Sequence, residues 1–532
     1  MIKVNRHLFA LLVIVVTITS VSLLSNSCNL KTKKDNKPAE EADSGKKSDS
    51  LELRGEKLAL DYCQRCHQFP DPHLLDKKTW LNGVLPNMGW RLGIRENGAN
   101  PYADLEPEEE KIVRKLNVYP EAALISNSDW EAIKVYYNQK APAEPLPQKK
   151  EFSEPAPLKG FEAKLIKFDD KPLPQTSLLK YDKTSSRLFV GDAQKTLYIL
   201  NKKFELIDSW GVESAPTDID FPKNKSPRLL TIGNFNPSDQ KLGRLASLDT
   251  AKVLPKGGVF IQSLARPVQF AVCDLNMDGK EDAVICEFGN HAGKLVWYDG
   301  MDSAKENILK ASPGARCAII KDMNNDDKPD IVVLMAQAYE QVSIFYNQGK
   351  GKFTEKKVLG FPPVFGVIYL ELADFNNDGF QDIVLTNGDN WDYSAIKKNY
   401  HGVRIYLNDG KDNFTEKWFY PLYGACKTIV RDFDGDGKPD IACISFFADE
   451  DKAENGFVYL SNQGGFNFKP YVLQQAALGK WLTMEAGDFD NDGDIDIVLG
   501  SYFQNIGELS KLVAKGGTST IPQILVLINK RK

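Results

Sequence analysis

The last two thirds of the chain alternate between short apolar runs and polar segments rich in aspartate. Residues 283–285, 331–333 and 383–385 are apolar and each follows such a segment directly, and the segments that begin at Asp432 and Asp488 repeat the arrangement. The runs are short, rich in Val and Ile and without a helical period, which favours β-strands. The first aspartates of the five segments are 48, 52, 58 and 56 residues apart. A period near fifty residues with short strands predicts a propeller or a similar array.

Each polar segment carries oxygen-bearing side chains at positions 1, 3, 5 and 9, with a turn residue at position 6. Alternate oxygens in a tight loop, with a backbone carbonyl at position 7, suit Ca²⁺. The Glu of an EF-hand is missing at position 12 and β-branched residues follow, so these are not EF-hands. An Asp-rich turn without metal is the alternative, but its carboxylates would repel one another. The expected ligands, for up to five calcium ions, are Asp274, Asn276, Asp278, Asp282, Asp322, Asn324, Asp326, Asp330, Asp374, Asn376, Asp378, Asp382, Asp432, Asp434, Asp436, Asp440, Asp488, Asp490, Asp492 and Asp496.

Position 6 of these loops is Gly in four cases and Asp327 in the second loop. Asp tolerates a left-handed backbone better than most residues, so the second loop is expected to keep its site.

The number of blades follows from the places where a loop belongs. Residues 181–190 and 220–230 occupy two further loop positions without the metal residues, which makes seven. The chain ends with residues 524–529, which match a recurring strand that ends in Asn, but the strand that should follow is missing. Residues 161–168 supply a suitable strand from the other end. The sequence predicts a seven-bladed ring closed by its two ends, which removes exposed edges.

These loops and strands resemble the FG-GAP or VCBS repeats of integrin-like propellers. The resemblance implies that each repeat is a four-stranded blade with the metal loop between two strands.

A different pattern precedes the repeats. Residues 56–62 predict a helix that leads into Cys63, Cys66 and His67. Two thiols three positions apart, followed at once by His, are typical of covalent c-type haem attachment. The thiols form thioethers and the imidazole is the proximal iron ligand.

A disulfide and a zinc knuckle are the alternatives for this motif. A zinc site needs about four ligands. Residues 51–142 contain no other Cys, and His73 is their only other His. The sequence therefore predicts one covalent haem c.

Met88 is the expected sixth iron ligand. It lies between Pro86 and Gly89, in residues that predict a loop. A thioether opposite His raises the haem potential and favours electron transfer. There are two alternatives. Met88 could fill a gap in the core without binding iron, or His73 could be the sixth ligand instead.

The surrounding residues fit a small helical domain. Ser128, as an N-cap with Glu131 three positions later, predicts a second helix that ends before Pro142. An aromatic C-terminal helix across an N-terminal haem helix resembles a class I cytochrome c. The resemblance covers about residues 51–142 and implies a small all-α haem domain before the all-β propeller.

The N-terminus predicts targeting outside the cytoplasm. Lys3 and Arg6 precede the apolar residues 8–24, and Cys28 follows. This resembles a bacterial lipoprotein signal with lipid on Cys28, although Ser25 stands where Leu is usual. An ordinary cleaved signal and a retained anchor are alternatives. The expected location is the bacterial envelope, lipid-anchored on the periplasmic or outer surface.

The chain is long enough for several domains. Residues 29–50 are charged and polar and predict a flexible tether, and five prolines between 142 and 157 predict a stiff linker. The expected organisation is a signal peptide (1–27), a lipid-anchored tether (28–50), a cytochrome c-like domain (51–142), a linker (143–159) and a seven-bladed propeller (160–532).

An insertion after the third metal loop concentrates polar and aromatic residues, as binding pockets do. One of the five His residues lies here, and another lies at a matching blade position. A long surface loop is the alternative. The candidate ligand pocket consists of His291, Asp389, Asn390, Asp392, Tyr393 and His401.

Three functions are consistent with this sequence. The first is electron transfer by a membrane-anchored haem protein whose propeller binds a redox protein, a small molecule or a glycan. The second is an oxidoreductase that acts on a sugar or alcohol in the propeller, and the third is an adhesion or glycan-binding lipoprotein. A net charge of -5 gives no support for nucleic-acid binding.

Overall fold

A helical unit precedes a ring of β-sheets in the computed structural model, which describes residues 41–149, 152–248, 258–337, 339–389, 393–516 and 521–531. The expected signal segment and Cys28 lie outside these residues. Within the described residues, no helix is both long enough and apolar enough to cross a lipid bilayer. The chain from Asp49 onward forms one compact unit.

The helical unit contains five α-helices and three short irregular turns. The α-helices are α1 (Glu41–Cys63), α2 (Lys77–Thr79), α3 (Leu85–Arg91), α4 (Pro107–Lys115) and α5 (Asn127–Lys140). The other turns are 3-10 helices at Pro72–Leu74 and Glu96–Gly98 and a π-helix at Trp80–Val84. Helix α1 begins inside the segment expected to be a tether and ends, as predicted, at the haem motif.

Helix α5 begins two residues before its predicted start. Its N-cap is Ser126, whose hydroxyl accepts a hydrogen bond from the Asp129 N–H, rather than Ser128. Either serine can cap a helix, and Ser126 has the extended backbone that this position needs. The helix ends before Pro142, as predicted.

Helices α1 and α5 cross at Gly55. A Cβ at this position would lie 2.0 Å from the Ala132 carbonyl oxygen and 2.9 Å from the Tyr136 Cβ, so only glycine permits this approach. Beside the crossing, Arg54 pairs with Asp129 at 2.5 Å. The crossing holds the end of α1, and with it Cys63, against α5.

Seven four-stranded sheets follow in chain order, and strands that are neighbours in sequence pair antiparallel. The first six blades take their strands consecutively. Blade 1 contains Thr176–Asp182, Arg187–Asp192, Thr196–Leu200 and Leu206–Gly211. Blade 2 contains Pro216–Asp220, Arg228–Thr231, Gly243–Ser247 and Val259–Leu264. Blade 3 contains Pro267–Cys273, Asp282–Glu287, Lys294–Tyr298 and Glu306–Lys310.

The later blades repeat the same arrangement. Blade 4 contains Ala315–Lys321, Asp330–Met335, Gln341–Asn347 and Phe353–Gly360. Blade 5 contains Val367–Ala373, Asp382–Asn387, Gly402–Asn408 and Phe414–Pro421. Blade 6 contains Ala425–Arg431, Asp440–Ser445, Phe457–Asn462 and Phe468–Val472. Short helices in the propeller are Asp299–Met301, Glu450–Gly456, Gln474–Leu478 and α6 (Ile506–Gly516).

The ring closes in blade 7 as predicted. Three of its strands come from the end of the chain, namely Trp481–Gly487, Asp496–Ser501 and Ile524–Asn529. The outer strand is Phe161–Ile166. This strand pairs antiparallel with the last one, from Phe161 opposite Asn529 to Ile166 opposite Ile524. The described residues thus confirm a seven-bladed propeller.

The end of the predicted linker belongs to the propeller. Ala156–Pro157 adds a fifth, parallel strand to the outside of blade 6. Phe152 also packs edge-to-face on Trp418 and Tyr420, with ring centroids 5.8 and 5.0 Å away. These contacts hold the linker on the ring.

The antiparallel order gives the ring two distinct faces. Turns between the first and second strands of each blade, which include the five Asp-rich loops, lie on what we call the metal-loop face. Connections between the second and third strands, and from one blade to the next, lie on the opposite face. We call this the helical face, because the helical unit contacts it.

Candidate functional site

The haem motif forms the turn that follows α1. Cys63 is the last residue of the helix and is half-buried, whereas Cys66 is exposed. Both thiols are free rather than joined in a disulfide. The Arg65 side chain closes the turn by donating to the Asp61 carbonyl at 2.8 Å. The pKa of Cys63 is raised to about 11, mainly by burial.

His67 has one ring nitrogen engaged by the backbone. Its Nδ1 lies 3.0 Å from the Gln68 carbonyl oxygen, a contact that places the proton on Nδ1 and leaves the Nε2 lone pair for a metal. Burial lowers the pKa of this half-buried imidazole. The ring therefore has the tautomer and charge of a metal ligand.

Met88 lies in helix α3, not in a loop, and the predicted loop is wrong. Pro86 fits the first turn of a helix, where its missing N–H costs no hydrogen bond. Gly89 packs closely on Trp130, because a Cβ there would lie 3.1 Å from the Trp130 ring.

Met88 and Cys63 are half-buried against the same hydrophobic core. This core includes Trp80, Trp130 and Tyr137, and half-exposed apolar side chains surround it, among them Leu58, Tyr62, Leu81 and Leu92. The competing ligand, His73, has a 68% exposed side chain that is paired with Asp71 at 2.9 Å. Met88 is thus surrounded by apolar side chains, whereas His73 is exposed to solvent.

The helical unit docks on the propeller through buried polar contacts. The Glu109 carboxylate accepts hydrogen bonds from the Ser238 hydroxyl at 2.6 Å and the Asp239 N–H at 2.7 Å. The Tyr119 hydroxyl lies 3.1 Å from His291 Nε2, and His291 Nδ1 lies 2.8 Å from Asp239. One continuous chain of hydrogen bonds therefore joins the two parts.

Apolar contacts extend this docking. Val364 and Ile396 of the propeller pack against the hydrophobic core of the helical unit. A Cβ on Gly83 would lie 2.1 Å from the Tyr393 carbonyl oxygen, so the π-helix touches the insertion of blade 5. The predicted haem site therefore lies in a unit fixed to the helical face.

The five Asp-rich loops share one conformation. In the first loop, Asp274 accepts hydrogen bonds from the backbone N–H groups of Asp278 and Gly279, at 3.1 and 2.8 Å. Position 6 has a positive φ in every loop, and Asp327 takes this conformation at φ 61°, as predicted. Position 9 is fully buried, and its carboxylate accepts from position 2, as Asp282 does from the Leu275 N–H at 2.9 Å.

The last two loops bring their carboxylates closest together. The ligand atoms of Asp432, Asp434 and Asp440 lie within 4.8 Å of one another, as do those of Asp488, Asp490 and Asp496. One buried oxygen each of Asp434 and Asp490 has no hydrogen-bond partner in the described part of the chain. The pKa values of Asp440 and Asp496 rise to about 6, mainly through burial. Clustered, buried and partly unsatisfied oxygens fit a hard cation.

Asparagines tie neighbouring blades to these loops. The Asn347 Nδ2 of blade 4 donates to the Leu275 carbonyl of blade 3 at 2.8 Å. Asn529 of blade 7 donates in the same way to the Phe433 carbonyl of blade 6 at 2.8 Å. The loops therefore help to hold the ring together.

The residues of the predicted propeller pocket do not share one cavity. His291 belongs to the docking contacts, and Tyr393 lies in the insertion that the π-helix touches. His401 is 1% exposed, burial holds its pKa well below the usual range, and its Nε2 has no partner among the described residues. Asp389 lines a cavity described next. Asn390 and Asp392 lie outside the described residues.

A cavity of about 430 Å³ occupies the centre of the ring, and the sequence analysis did not identify it. Its walls are the innermost strands of the seven blades and connections of the helical face, including Asn236, Asn290 and Asp389. Charged residues within otherwise apolar first strands were the available signal. The charged lining residues are Lys180, Asp218, Arg266, Arg316, Asp389, Lys427 and Glu485.

Two stretches, residues 322–385 and 432–499, match the FG-GAP-like repeat family. Together with the seven sheets, this defines a seven-bladed β-propeller protein that contains FG-GAP-like repeats. Propellers of this kind commonly bind ligands or partners.

Solved structures with a similar chain include three with TM-scores near 0.4. One is S. cerevisiae Dbp5 in a complex with Nup159 and Gle1 (TM-score 0.41, 12% identity, 72% of this chain and 98% of that chain). Another is BBS1N in complex with ARL6DN (TM-score 0.42, 10% identity, 67% of this chain and 93% of that chain). The third is the Neurospora crassa Pan2 WD40 domain (TM-score 0.41, 11% identity, 70% of this chain and 97% of that chain). At these scores the likenesses say nothing about function.

Proposed function

We propose that this protein is a c-type haem protein that transfers electrons and uses its propeller to bind a partner or ligand. The observation that carries the proposal is the juxtaposition at the end of α1. Cys63 and Cys66 flank an exposed turn, His67 follows with Nε2 available, and Met88 shares the apolar core with Cys63.

The chain's own residues have distinct parts in this proposal. Cys63 and Cys66 would attach one haem c through thioethers, and His67 and Met88 would be the residues that hold its iron. Bound haem supplies one-electron redox chemistry. The crossing of α1 and α5, which resembles that of class I cytochromes c, fixes the position of the thiols. The apolar side chains around Cys63 and Met88 would keep water from the iron.

The five loops are proposed calcium sites that stiffen the ring. Oxygen-only side chains, buried position-9 carboxylates and the asparagine links between blades support this role. The expected anchor on Cys28 and the envelope location remain part of the proposal, because c-type haem attachment in bacteria occurs outside the cytoplasm.

A second function, haem-coupled oxidation of a sugar or alcohol, is favoured by the position of the central cavity. The cavity lining reaches Asn290 on the helical face, next to His291, which contacts Tyr119 of the helical unit. A substrate in the cavity would therefore lie on the same side of the ring as the haem motif. An adhesion or glycan-binding protein is the outcome if the haem responds neither to a substrate nor to a redox protein.

The haem itself is tested by expressing the full chain with a c-type maturation system. We expect a haem that stays with the polypeptide in a denaturing gel and a pyridine haemochrome spectrum for one haem per chain. Replacing both Cys63 and Cys66 by Ala should abolish the covalent haem, whereas Cys273→Ala, which removes a half-buried thiol of blade 3, should retain it. A wild-type chain without bound haem would refute the proposal.

The electron-transfer role is tested by following haem reduction in calcium-loaded protein. A panel of sugars, alcohols and glycans, with and without a quinone cofactor, is compared with reduced redox proteins. Reduction by redox proteins alone supports electron transfer with a binding scaffold. Catalytic reduction by one substrate class would establish the oxidoreductase instead.

A further inference from the structure

The central cavity has the chemistry of a specific ligand site. Its volume of about 430 Å³ falls in the range of small-molecule pockets. Four of the charged lining residues are basic and three are acidic, whereas the whole chain carries a net charge of -5. An excess of positive charge is therefore concentrated where the protein shields it from solvent, and such a site attracts anions.

Two of the cavity cations form no salt bridge in the described parts of the chain, although Glu485 attracts Lys427 at longer range. Lys180 is paired with Asp218 at 3.7 Å. By contrast, neither Arg316 nor Lys427 lies within 4.0 Å of a carboxylate oxygen in the described parts of the chain. Both are half-buried on the first strands of blades 4 and 6. Lys427 lies 5.3 Å from the Tyr369 ring centroid, and Tyr369 lines the cavity on the strand between them. Because neither cation is held in a salt bridge, both are available to pair with an anionic group of a ligand.

The other walls fit the body of a sugar. Phe235 and Tyr502 both line the cavity, and their rings stack with centroids 5.1 Å apart and an interplanar angle of 19°. Amide side chains of Asn236, Asn290 and Gln337 line the cavity beside them. Aromatic faces accept the apolar side of a pyranose ring, and amides donate to and accept from its hydroxyls.

We propose that the central cavity binds a sugar acid, whose carboxylate is held by Arg316 and Lys427 and whose ring lies against the aromatic wall. The guanidinium of Arg316 provides paired donors that match a carboxylate, and the Lys427 ammonium adds a second charge. This inference rests on the proposed ligand-binding role of the propeller and names the class of ligand.

The test is isothermal titration calorimetry on the full-length, calcium-loaded protein. The probes are D-glucuronate and D-galacturonate, with D-glucose as the neutral match for D-glucuronate. We expect at least one of the two sugar acids to bind ten times more tightly than D-glucose, with an affinity that falls as salt rises. If neither acid binds more tightly than D-glucose, the proposal is overturned.

Variants assign the binding to these cations. Arg316→Ala and Lys427→Met should each weaken sugar-acid binding at least tenfold, and Lys357→Met, which removes an exposed cation of blade 4, should leave it unchanged. Arg316→Gln replaces the alanine variant if circular dichroism shows that the latter does not fold. Affinities within twofold of the wild type in both cavity variants would overturn the proposal. Haem attachment is measured on the same samples, so a failure of the haem proposal is recognised separately.

Discussion

Gly55→Ala tests the helix crossing that positions the haem motif. Intrinsic helix propensity favours Ala over Gly by about 1 kcal/mol, so a helix free of its neighbour would become more stable. In the structure, however, the new Cβ would lie 2.0 Å from the Ala132 carbonyl oxygen, and ordinary contacts begin at 3.4 Å. The two considerations predict opposite signs, which makes this substitution decisive.

The size of the effect follows from what can move. The obstructing atom belongs to the backbone of α5, which is held by the fully buried Ile133 and by Tyr137, so the two helices must separate by more than an ångström. Overpacking of this kind costs about 1–3 kcal/mol. A cost near the upper end, about 3 kcal/mol, less the gain of about 1 kcal/mol from helix propensity, leaves a net loss of about 2 kcal/mol, which corresponds to a roughly 30-fold increase in local opening.

Hydrogen exchange followed by mass spectrometry measures this opening directly in peptides from α1 and α5. Peptides from blades 3 and 4 serve as an internal reference. The matched control is Gly507→Ala in α6, where the nearest atom to the new Cβ is the end of the flexible Asn505 side chain at 3.0 Å. This control should not weaken protection. Unchanged or increased protection of α1 in Gly55→Ala would refute the crossing.

Three further predictions concern the propeller. Burial raises the pKa of Glu340 to about 8, above the ordinary value near 4.5 of the unfolded chain, so the free energy of unfolding should fall by about 4 kcal/mol as pH rises from about 4.5 to 8, and Glu340→Gln should flatten this dependence in urea unfolding. Asn529→Ala leaves a carbonyl of blade 6 unpaired and should cost about 2 kcal/mol, whereas Asn307→Ala, at an exposed position, should cost less than about 0.5 kcal/mol; equal melting temperatures would contradict the blade link. Calcium should raise the melting temperature of the chelator-treated protein. Asp434→Asn should reduce this rise more than Asp494→Asn does, because the Asp494 side chain is not an expected ligand. The same calcium response in both variants would argue against the site.

The propeller was predictable because its determinants are local and repeated. Each loop contains its own candidate metal ligands within nine residues. Even Asp327, which replaces the usual Gly, adopts the left-handed backbone that aspartate tolerates. Closure was predictable because a strand that ends at Asn529 lacks its outer partner in the repeat, and residues 161–166 have a matching pattern. Register and strand order follow from such features without any long-range information.

The errors have a different origin. Pro86 and Gly89 punctuate loops in most sequences, but here proline starts a helix and glycine admits the Trp130 ring, which only tertiary packing can decide. Equivalent blade positions suggested that His291 and His401 share a pocket. Instead, His291 forms a hydrogen bond with Tyr119 of the helical unit, and His401 is buried within the propeller. The tertiary structure decides where these side chains point.

The two faces of the ring separate two kinds of chemistry. Carboxylate loops, with their links between blades, lie on the metal-loop face, and the helical unit and the connections that line the central cavity lie on the other. The loop carboxylates lie in the turns of the metal-loop face, whereas the cations Arg316 and Lys427 line the central cavity. Loss of calcium should therefore act on ligand binding only through the stability of the ring. A ligand in the cavity, by contrast, lies next to the Tyr119–His291–Asp239 contacts and can influence the helical unit directly.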